Sequence, residues 1–260
     1  VRAAFSSLTT YAGQPVINLA IMFLIVFGGI GFLTWEDITV HGLHFKKYRM
    51  QSKVILSVTG VLILIPAVYF YFCEFSKGAW ADFSVPEKVL ASMFQSVTPR
   101  TAGFNTVELT ALTEAGQMMM IILMLIGGSP GSTAGGMKTT TAAVLFASAI
   151  AVFRQKEEAH FFGRRVPEDT IKNAATILLM YLVLFLTGGI VISSIEGLPI
   201  LTCLFETASA IGTVGLSLGI TPGLRLISRL ILILLMFFGR VGGLTLVFAA
   251  LPGVHKNVSR

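Results

Sequence analysis

Thr-Ala-Gly-Phe-Asn at residues 101–105 recurs in altered form as Thr-Val-Gly-Leu-Ser at residues 213–217. Each stretch follows an apolar segment that begins beside a proline and is too short to cross a bilayer, and each precedes a segment that is long enough. Irregular backbone at membrane depth is tolerated only where it is buried in protein or lines a water-filled path. The repeated stretch therefore predicts a chain that dips into the membrane, turns and lines a pore.

The composition is typical of a membrane protein. Of 260 residues, 54% are hydrophobic and 12% are charged, and the mean hydropathy is +0.82, whereas soluble domains carry about 25% charged residues. The net charge of +6 comes from Lys and Arg in short loops between apolar runs, so we expect a lipid bilayer and not nucleic acid as the partner. Cys73 and Cys203 lie in or beside apolar segments and indicate neither a disulfide framework nor a metal site.

Five apolar stretches reach the length of about 20 residues that a membrane-spanning helix needs. They are Val16–Trp35, Val54–Cys73, Ala115–Phe153 (long and interrupted), Ile171–Ile195 and Leu224–Leu251. Basic residues concentrate in the first and third connections and in the tail, while the second connection mixes them, Arg100 included, with acidic residues, and the fourth has none. The positive-inside rule then places the first and third connections and the C-terminus in the cytoplasm and both repeated stretches outside.

This topology puts residue 1 on the outer side of the membrane. Val1 is not preceded by a signal peptide, although an outer N-terminus usually depends on one. We therefore expect the chain to be a fragment that lacks its N-terminal part.

A short helix leads into each repeated stretch. The segment Pro86–Val97 begins with a proline suited to a first helical turn and with Glu87, which a helix N-terminus favours. About a dozen residues give a helix of about 18 Å, roughly half of the hydrocarbon thickness. Its partly negative C-terminal end should point to the membrane centre and favour a cation there. Gly103 supplies the backbone freedom that the return to the surface needs.

The two copies align without gaps, and each is flanked by membrane helices. Repetition of the whole unit predicts an all-α integral membrane fold built from a membrane helix, a re-entrant pore helix with filter, and a second membrane helix. We divide the chain into residues 1–53, the end of an earlier repeat; 54–170, a repeat with pore loop 86–106 and broken helix 115–153; and 171–260, a repeat with pore loop 198–217 and closing helix 224–251.

The Thr-x-Gly pattern indicates the ion. Extended backbone of this kind presents carbonyl oxygens that replace the water shell of a potassium ion, and the Thr hydroxyl adds a ligand. The candidate filter residues are Thr101, Ala102, Gly103, Phe104, Thr213, Val214, Gly215 and Leu216. Neither stretch contains a carboxylate, which argues against an acidic ring of the calcium type. Two filter segments cannot close a ring, so we expect that this chain alone does not conduct.

A glycine-rich polar run interrupts the third span. Two short helices joined by flexible polar backbone at membrane depth are typical of transporters and gates. The candidate gate residues in this run are Gly127, Gly128, Ser129, Gly131, Ser132, Thr133, Gly135, Gly136 and Lys138. Four alternatives stay open: a P-loop, from which the pattern is one insertion away; a glycine kink for packing only; an intramembrane enzyme with Ser129, Ser132, Thr133 or Lys138 as nucleophile; and another broken-helix secondary transporter.

Two charged residues lie within apolar segments. Arg240 lies inside the last span, where a charge is costly and usually functional; a structural or snorkelling arginine is the alternative. Glu206 lies in the second pore helix. It is interpreted either as a buried structural carboxylate or as a group that tunes the field of the filter.

Three motifs together resemble the Trk/Ktr/HKT superfamily of potassium transporters, and within it the bacterial KtrB/TrkH membrane subunits. They are Thr98–Thr106, Gly127–Thr139 and Gly239–Gly243. The resemblance covers essentially the whole chain. It implies potassium uptake across the cell (plasma) membrane through a pore of four repeats, of which this chain holds the end of the second and all of the third and fourth. It also implies that loop 127–138 gates the pore below the filter and that Arg240 faces the pore near this loop as an electrostatic barrier.

The resemblance further implies partners. They are a second copy, giving a homodimer, and a cytosolic ring of nucleotide-binding regulatory subunits of the RCK type, with Glu36–Lys53 and Arg154–Lys172 as candidate docking surfaces. Whether sodium is required besides potassium is left open, and no organic cofactor is expected in this chain. Leu216 stands where an aromatic residue would fit, so we expect fewer well-formed ion sites than in a four-fold symmetric channel.

Overall fold

The computed structural model describes residues 7–42, 44–76, 78–156 and 158–241. Its α-helices are α1 (Pro15–Ile30), α2 (Phe32–His41), α3 (Met50–Tyr69), α4 (Val85–Val97), α5 (Glu114–Leu125), α6 (Thr139–Phe153), α7 (Glu168–Glu196), α8 (Ile200–Ile211) and α9 (Leu226–Val241). A π-helical turn, Phe70–Glu74, extends α3, and short 3₁₀ turns occupy Thr9–Tyr11, Phe45–Lys47, Gly78–Trp80, Leu109–Ala111 and Thr221–Gly223. Two short strands, β1 (His160–Phe161) and β2 (Arg164–Arg165), pair antiparallel.

The all-α membrane fold is confirmed. Within the described residues, Met50–Glu74 and Glu168–Glu196 are each long and apolar enough to cross a membrane, and α1 with α2 forms a bent pair that meets the same criterion. Helices α5, α6 and α8 are apolar but shorter. Parts of three sequence predictions lie outside the described residues: those for residues 1–6, for the closing helix beyond Val241 and for the basic tail.

The stretch Val16–Trp35, predicted as a span, is broken at Gly31 into two helices that form the bent pair. Helix α1 ends at Ile30, Gly31 has a φ of 91°, and α2 leaves at an angle of 98° to α1. In a continuous helix the carbonyl of Gly29 would accept from residue 33; here it accepts a hydrogen bond of 2.9 Å from the N–H of Ser129. Gly29 and Gly31 therefore lie where α1 ends against the segment between α5 and α6.

The two short helices that precede the Thr-x-Gly stretches, α4 and α8, pack against several other helices. Helix α4 packs on α3, while α8 packs on α5, α7 and α9. The C-terminal half of each is buried, with Phe94 and Phe205 inaccessible to solvent. Gly189 on α7 allows the close approach of α8, because a Cβ there would lie 2.5 Å from a methyl carbon of Leu204.

The outer end of α4 is fixed as its sequence predicts. Pro86 lies in the first turn, and Glu87 accepts hydrogen bonds from the N–H (2.9 Å) and the hydroxyl (2.7 Å) of Ser84. These bonds, the one from the hydroxyl foremost, hold the pKa of the Glu87 carboxyl below its usual value. The capping box therefore sets where the pore helix begins.

A carboxylate ties the two membrane helices of each repeat together. Glu74 accepts from the N–H (3.1 Å) and the hydroxyl of Thr113, at the N-terminus of α5. In the other repeat, Glu196 accepts from the N–H of Arg225 (2.9 Å) and from Ser228 Oγ (2.5 Å), at the N-terminus of α9. A negative charge is favourable at a helix N-terminus, so each carboxylate fixes the end of one membrane helix to the start of the next.

Candidate functional site

The two Thr-x-Gly stretches share an unusual backbone conformation. Thr101 and Thr213 have φ values of 64° and 52°, and the glycines two positions later, Gly103 and Gly215, have values of 75° and 93°. Among the described residues, the other non-glycine residues with positive φ are Gln155 and Phe162, in a surface connection. A β-branched residue rarely adopts this region, and such strain is typical of functional sites. The sequence repeat is thus also a repeat of conformation.

The two stretches lie against each other. A Cβ on Gly103 would lie 2.2 Å from the carbonyl oxygen of Val214, and one on Gly215 would lie 4.0 Å from the Cα of Gly103. Residue 103 must therefore be glycine both for its φ and for this close approach. The fold brings together two segments that are more than 100 residues apart in the sequence.

Hydrogen bonds to the preceding pore helix hold each stretch. In the second copy, the N–H of Val214 donates to the carbonyl of Ser209 (2.8 Å) and the N–H of Gly215 donates to Ser209 Oγ (3.1 Å). In the first copy, the N–H groups of Ala102 and Gly103 donate to the carbonyl of Thr98 (3.3 and 3.4 Å). These N–H groups therefore fix residues 102–103 and 214–215 to the end of the preceding helix.

Phe104 differs from the other candidate filter residues. Its carbonyl oxygen accepts a hydrogen bond from the Thr98 hydroxyl, so this oxygen already has one partner within the first copy. The next residue, Asn105, receives a hydrogen bond of 2.9 Å at its carbonyl from the N–H of Leu8. The outer end of the first stretch is therefore tied both to its own pore helix and to the segment before α1.

A cavity of about 670 Å³ lies at the outer ends of the two stretches. Its walls include Asn105, Thr106 and Glu108 after the first stretch and Ser217 and Gly219 after the second. The segments that follow both copies therefore line one common cavity.

Glu206 fixes the end of the second stretch to α8. Its side chain is buried, and its oxygens accept from Ser217 Oγ (2.7 Å), the N–H of Leu218 (2.9 Å) and Thr221 Oγ1 (2.7 Å). These contacts are those of the structural carboxylate, one of the two interpretations from the sequence. The aligned residue in the first copy is Phe94, so only one of the two copies has this brace.

We expect Glu206→Ala to lower the free energy of unfolding by about 1–3 kcal/mol, because it leaves partly buried donors without this acceptor. The measurement is the thermal unfolding of the purified protein in detergent. Glu206→Gln, which keeps an acceptor oxygen, should lose less. Glu168→Ala, which removes an exposed carboxylate 3.2 Å from Lys172, is the control and should change little. Equal losses in the two alanine variants would contradict this role.

The predicted interruption of the third span is present between α5 and α6, but its backbone is not free. The N–H of Gly127 donates to the carbonyl of Met137 (2.8 Å), and the N–H of Thr139 donates to the carbonyl of Gly128 (3.1 Å). The buried hydroxyls of Ser129 and Thr139 lie 3.0 Å apart and bond to each other. The segment is thus a closed loop fixed by its own hydrogen bonds, which differs from the flexible connection that the glycines predicted.

This loop lies directly against the inner end of the second stretch. A Cβ on Gly135 would lie 2.1 Å from Thr213 Oγ1, and one on Gly136 would lie 3.4 Å from the Cα of Gly212. The N–H of Gly136 donates to the carbonyl of Gly239 on α9 (3.2 Å). The candidate gate and the candidate filter are therefore in contact.

Two cations are associated with the loop. Arg240 on α9 donates from Nη1 to the carbonyl of Thr133, so the expected proximity of Arg240 to the loop is observed. Lys138 donates from Nζ to the carbonyl of Ala134 (2.6 Å) within the loop. Positive charge thus lies beside the segment that contacts Thr213.

The geometry disfavours two of the alternative readings of this loop. A P-loop follows a strand and presents free N–H groups to phosphate, whereas this loop follows helix α5 and uses the N–H groups of Gly127 and Gly136 internally or on α9. For an enzyme, Ser129 would need a base to activate it, and the structure pairs its hydroxyl with that of Thr139.

Arg100 is a residue that sequence reasoning misplaced. The sequence places it in the second connection, but its side chain is 4% exposed and donates to Thr59 Oγ1 on α3 (3.3 Å). Its Nε and Nη1 are buried without a partner among the described residues. The signal was its position immediately before Thr101, within the predicted re-entrant segment and not in a surface loop. A buried guanidinium therefore lies behind the first stretch.

Comparison with known proteins gives consistent matches over nearly the whole chain. The model of the TrkH family, described as cation transport protein, matches residues 3–253. The Ktr system potassium uptake protein B of Bacillus subtilis is 37% identical over 253 residues, which cover 97% of this chain and 57% of that protein. The potassium/sodium uptake protein NtpJ of Enterococcus hirae is 39% identical over 237 residues, covering 90% of this chain and 52% of that protein.

A solved structure has the same fold. The crystal structure of the potassium transporter TrkH from Vibrio parahaemolyticus aligns with a TM-score of 0.76 at 19% identity, over 95% of this chain and 54% of that one. At this identity the match shows the fold alone. The chain spans about half the length of the curated relatives that it matches.

Proposed function

The chain belongs to the TrkH cation transport family, and on that premise we propose that it contributes two of the filter segments of a potassium uptake pathway. The observation that carries this proposal is the pair of Thr-x-Gly stretches, alike in backbone conformation, lying against each other below a common cavity. Backbone carbonyl oxygens held by hydrogen bonds on the opposite side of the chain are the ligands that replace the hydration shell of potassium. The pore helices, whose C-terminal ends lead into the stretches, add a favourable partial charge.

The ion in this proposal is potassium, with sodium as a second transported or coupled ion to be tested. Both ions occur in the name of the NtpJ relative and potassium alone in that of the Ktr relative. Thr101, Ala102, Gly103, Thr213, Val214 and Gly215 line the pathway, and Phe104 and Leu216 form its outer end. The proposed function involves no organic cofactor in this chain.

Loop 127–138 is the proposed gate. Its Gly135 contacts the Thr213 hydroxyl, the innermost ligand of the second stretch, so an ion that leaves the filter on this side meets the loop. Arg240 and Lys138 add positive charge beside the loop, and this charge opposes the passage of a cation in a low-dielectric region. Uptake then requires the loop to move away from Thr213.

The orientation and partners are part of the same proposal. The filter cavity faces outside and the connections Glu36–Lys53 and Arg154–Lys172 face the cytoplasm of the cell, where the excess of basic residues favours them. The Ktr relatives are named as components of a system, which supports the presence of partner subunits. We propose a second copy of the chain and a cytosolic nucleotide-binding ring of the RCK type, docked at these connections.

The test is potassium uptake in bacteria that lack their own uptake systems, with the protein expressed as its gene encodes it. We expect growth at low potassium and saturable uptake of rubidium as a tracer, measured with and without sodium. Gly103→Asp should abolish both, because a carboxylate would enter the contact with Val214. Failure of the wild-type protein, present in the membrane, to support uptake would refute the proposed function.

A further inference from the structure

The break between α1 and α2 lies on the proposed gate. The N–H of Ser129 donates to the carbonyl of Gly29 (2.9 Å), and the N–H of Phe32 donates to the carbonyl of Gly131 (3.3 Å). Between these bonds, a Cβ on Gly31 would lie 2.5 Å from the carbonyl oxygen of Pro130. The last turn of α1 and the first residue of α2 thus hold the loop 127–138 through backbone bonds in both directions.

The same short helix is fixed further along its length. Asp37 on α2 is 1% exposed, and its carboxylate accepts from the N–H of Arg49 (3.0 Å) and from Ser52 Oγ (2.6 Å), with Arg49 Nε 3.5 Å away. These donors belong to the N-terminus of α3, where a negative charge is favourable. The neighbouring Glu36 pairs with Arg49 at 3.1 Å in an exposed position, which stabilises little. Asp37 is therefore the side chain that fixes α2 to α3.

Helix α2 connects these two attachments as a rigid element. Its ten residues span about 15 Å. At the N-terminal end of α2, Gly31 packs against Pro130 of the loop. Past the middle of α2, Asp37 fixes the helix to α3. A shift of α2 against α3 cannot occur without breaking either the Asp37 contacts or the bonds to the loop.

We propose that Asp37 and Gly31 are positioning residues for the gate, and that α2 acts as a clamp that holds the loop 127–138 against Thr213. This proposal rests on the proposed function, because it assumes that the loop obstructs an ion path. It also connects the cytoplasmic side of the protein to the gate. Helix α2 begins at the loop and continues into the connection that contains Arg49, so a displacement of this connection would move the loop. Release of Asp37 from α3 lets α2 and the loop move together and raises the flux.

The loop has other attachments, so loss of the clamp need not unfold it. Gly136 is bonded to Gly239, and Thr133 is bonded to Arg240, both on α9. The clamp is thus one of two supports on opposite sides of the loop. Loss of the clamp changes the equilibrium between positions of the loop and leaves the filter in place.

The experiment measures potassium uptake by the protein expressed as its gene encodes it, for Asp37→Asn and Gly31→Ala. Loss of about one net hydrogen bond predicts a roughly five-fold change in the equilibrium constant between the closed and the displaced position of the loop. The maximal uptake rate should therefore be several-fold higher. The half-saturating potassium concentration and the preference for potassium over sodium should stay unchanged, because the filter is not touched. Asp37→Glu, which keeps the charge, should return the rate toward that of the wild type.

Matched controls separate the clamp from general damage. Gly60→Ala adds a methyl group to a glycine on α3 with open space around it, and Val40→Ala shortens an exposed side chain on α2; both should behave as wild type. Rates are normalised to the amount of protein in the membrane, and if Gly31→Ala is absent from the membrane, Asp37→Asn and Ser52→Ala carry the test. An unchanged maximal rate in Asp37→Asn, or a changed ion preference, would overturn the clamp.

The two proposals fail differently. If wild-type protein in the membrane transports no potassium, the proposed function is wrong and the clamp is wrong with it. If the wild type transports and Arg240→Ala changes the rate while Asp37→Asn and Gly31→Ala do not, the gate stands and only the clamp is refuted.

Discussion

Replacing Gly103 by alanine should reduce potassium uptake by about two orders of magnitude, the loss that a displacement on the order of 1 Å produces at other preorganised sites. The new Cβ would lie 2.2 Å from the carbonyl oxygen of Val214, and the φ of 75° is itself unfavourable for alanine. The clash with Val214 is removed only if one of the two stretches moves. Ion coordination by backbone carbonyls depends on the positions of these stretches. The measurement is initial tracer uptake at saturating potassium, normalised to protein in the membrane.

Gly197→Ala is the matched control for this prediction. Gly197 ends α7 with a φ of 68°, close to that of Gly103, but a Cβ there meets nothing within 4 Å. It therefore carries the conformational cost, about 1 kcal/mol, without the contact. Uptake by Gly197→Ala should remain near that of the wild type. If Gly103→Ala transports as well as Gly197→Ala, the contact between the two stretches is not part of the ion path.

The short helix α4 and the Thr-x-Gly stretch after it could be predicted because their signals are local. The proline and Glu87 that begin α4, the length of the helix and the Thr-x-Gly pattern all lie within 20 consecutive residues. The repeat adds a second, independent copy of the same signals. The sequence also showed that α5 and α6 must be separate, since glycine and polar residues at 127–138 cannot continue an apolar helix.

The features that were missed depend on contacts between distant segments. Gly31 ends α1 because the loop supplies Ser129 as a donor to Gly29, and nothing near residue 31 reveals a partner almost 100 residues away. Arg100 is basic and follows a proline, as loop residues do; its burial against Thr59 follows from the packing of α3 on α4. In both cases tertiary contacts overrode a reasonable local reading.

The tie between Glu74 and Thr113 and that between Glu196 and Arg225 were missed for a different reason. The donors are 112 positions apart, as the repeat requires, but the carboxylates are 122 positions apart. A gapless alignment of the two copies therefore cannot pair the two glutamates. The structure recovers the equivalence, because both carboxylates occupy the same place at the N-terminus of the second membrane helix.

Replacing Arg240 by alanine should raise the maximal rate of potassium uptake. Arg240 places a positive charge beside the proposed gate and bonds to the carbonyl of Thr133. At an effective dielectric constant of about 20 and a separation of about 8 Å, two unit charges repel each other by about 2 kcal/mol. Removal of such a barrier corresponds to a rate increase of roughly 30-fold as an upper bound. The measurement is initial tracer uptake as a function of potassium concentration.

Two further variants separate the charge of Arg240 from its hydrogen bond to the loop. Arg240→Lys keeps the charge and shortens the reach to Thr133, so it should stay close to wild type if repulsion dominates and resemble Arg240→Ala if the bond to the loop dominates. Arg229→Ala removes an exposed arginine at the other end of the same helix, which donates to the carbonyl of Pro222, and should change little. Uptake kinetics that are the same for Arg240→Ala, Arg229→Ala and the wild type would exclude Arg240 from the gate. The obstruction would then rest on the contact between Gly135 and Thr213 and on the charge of Lys138.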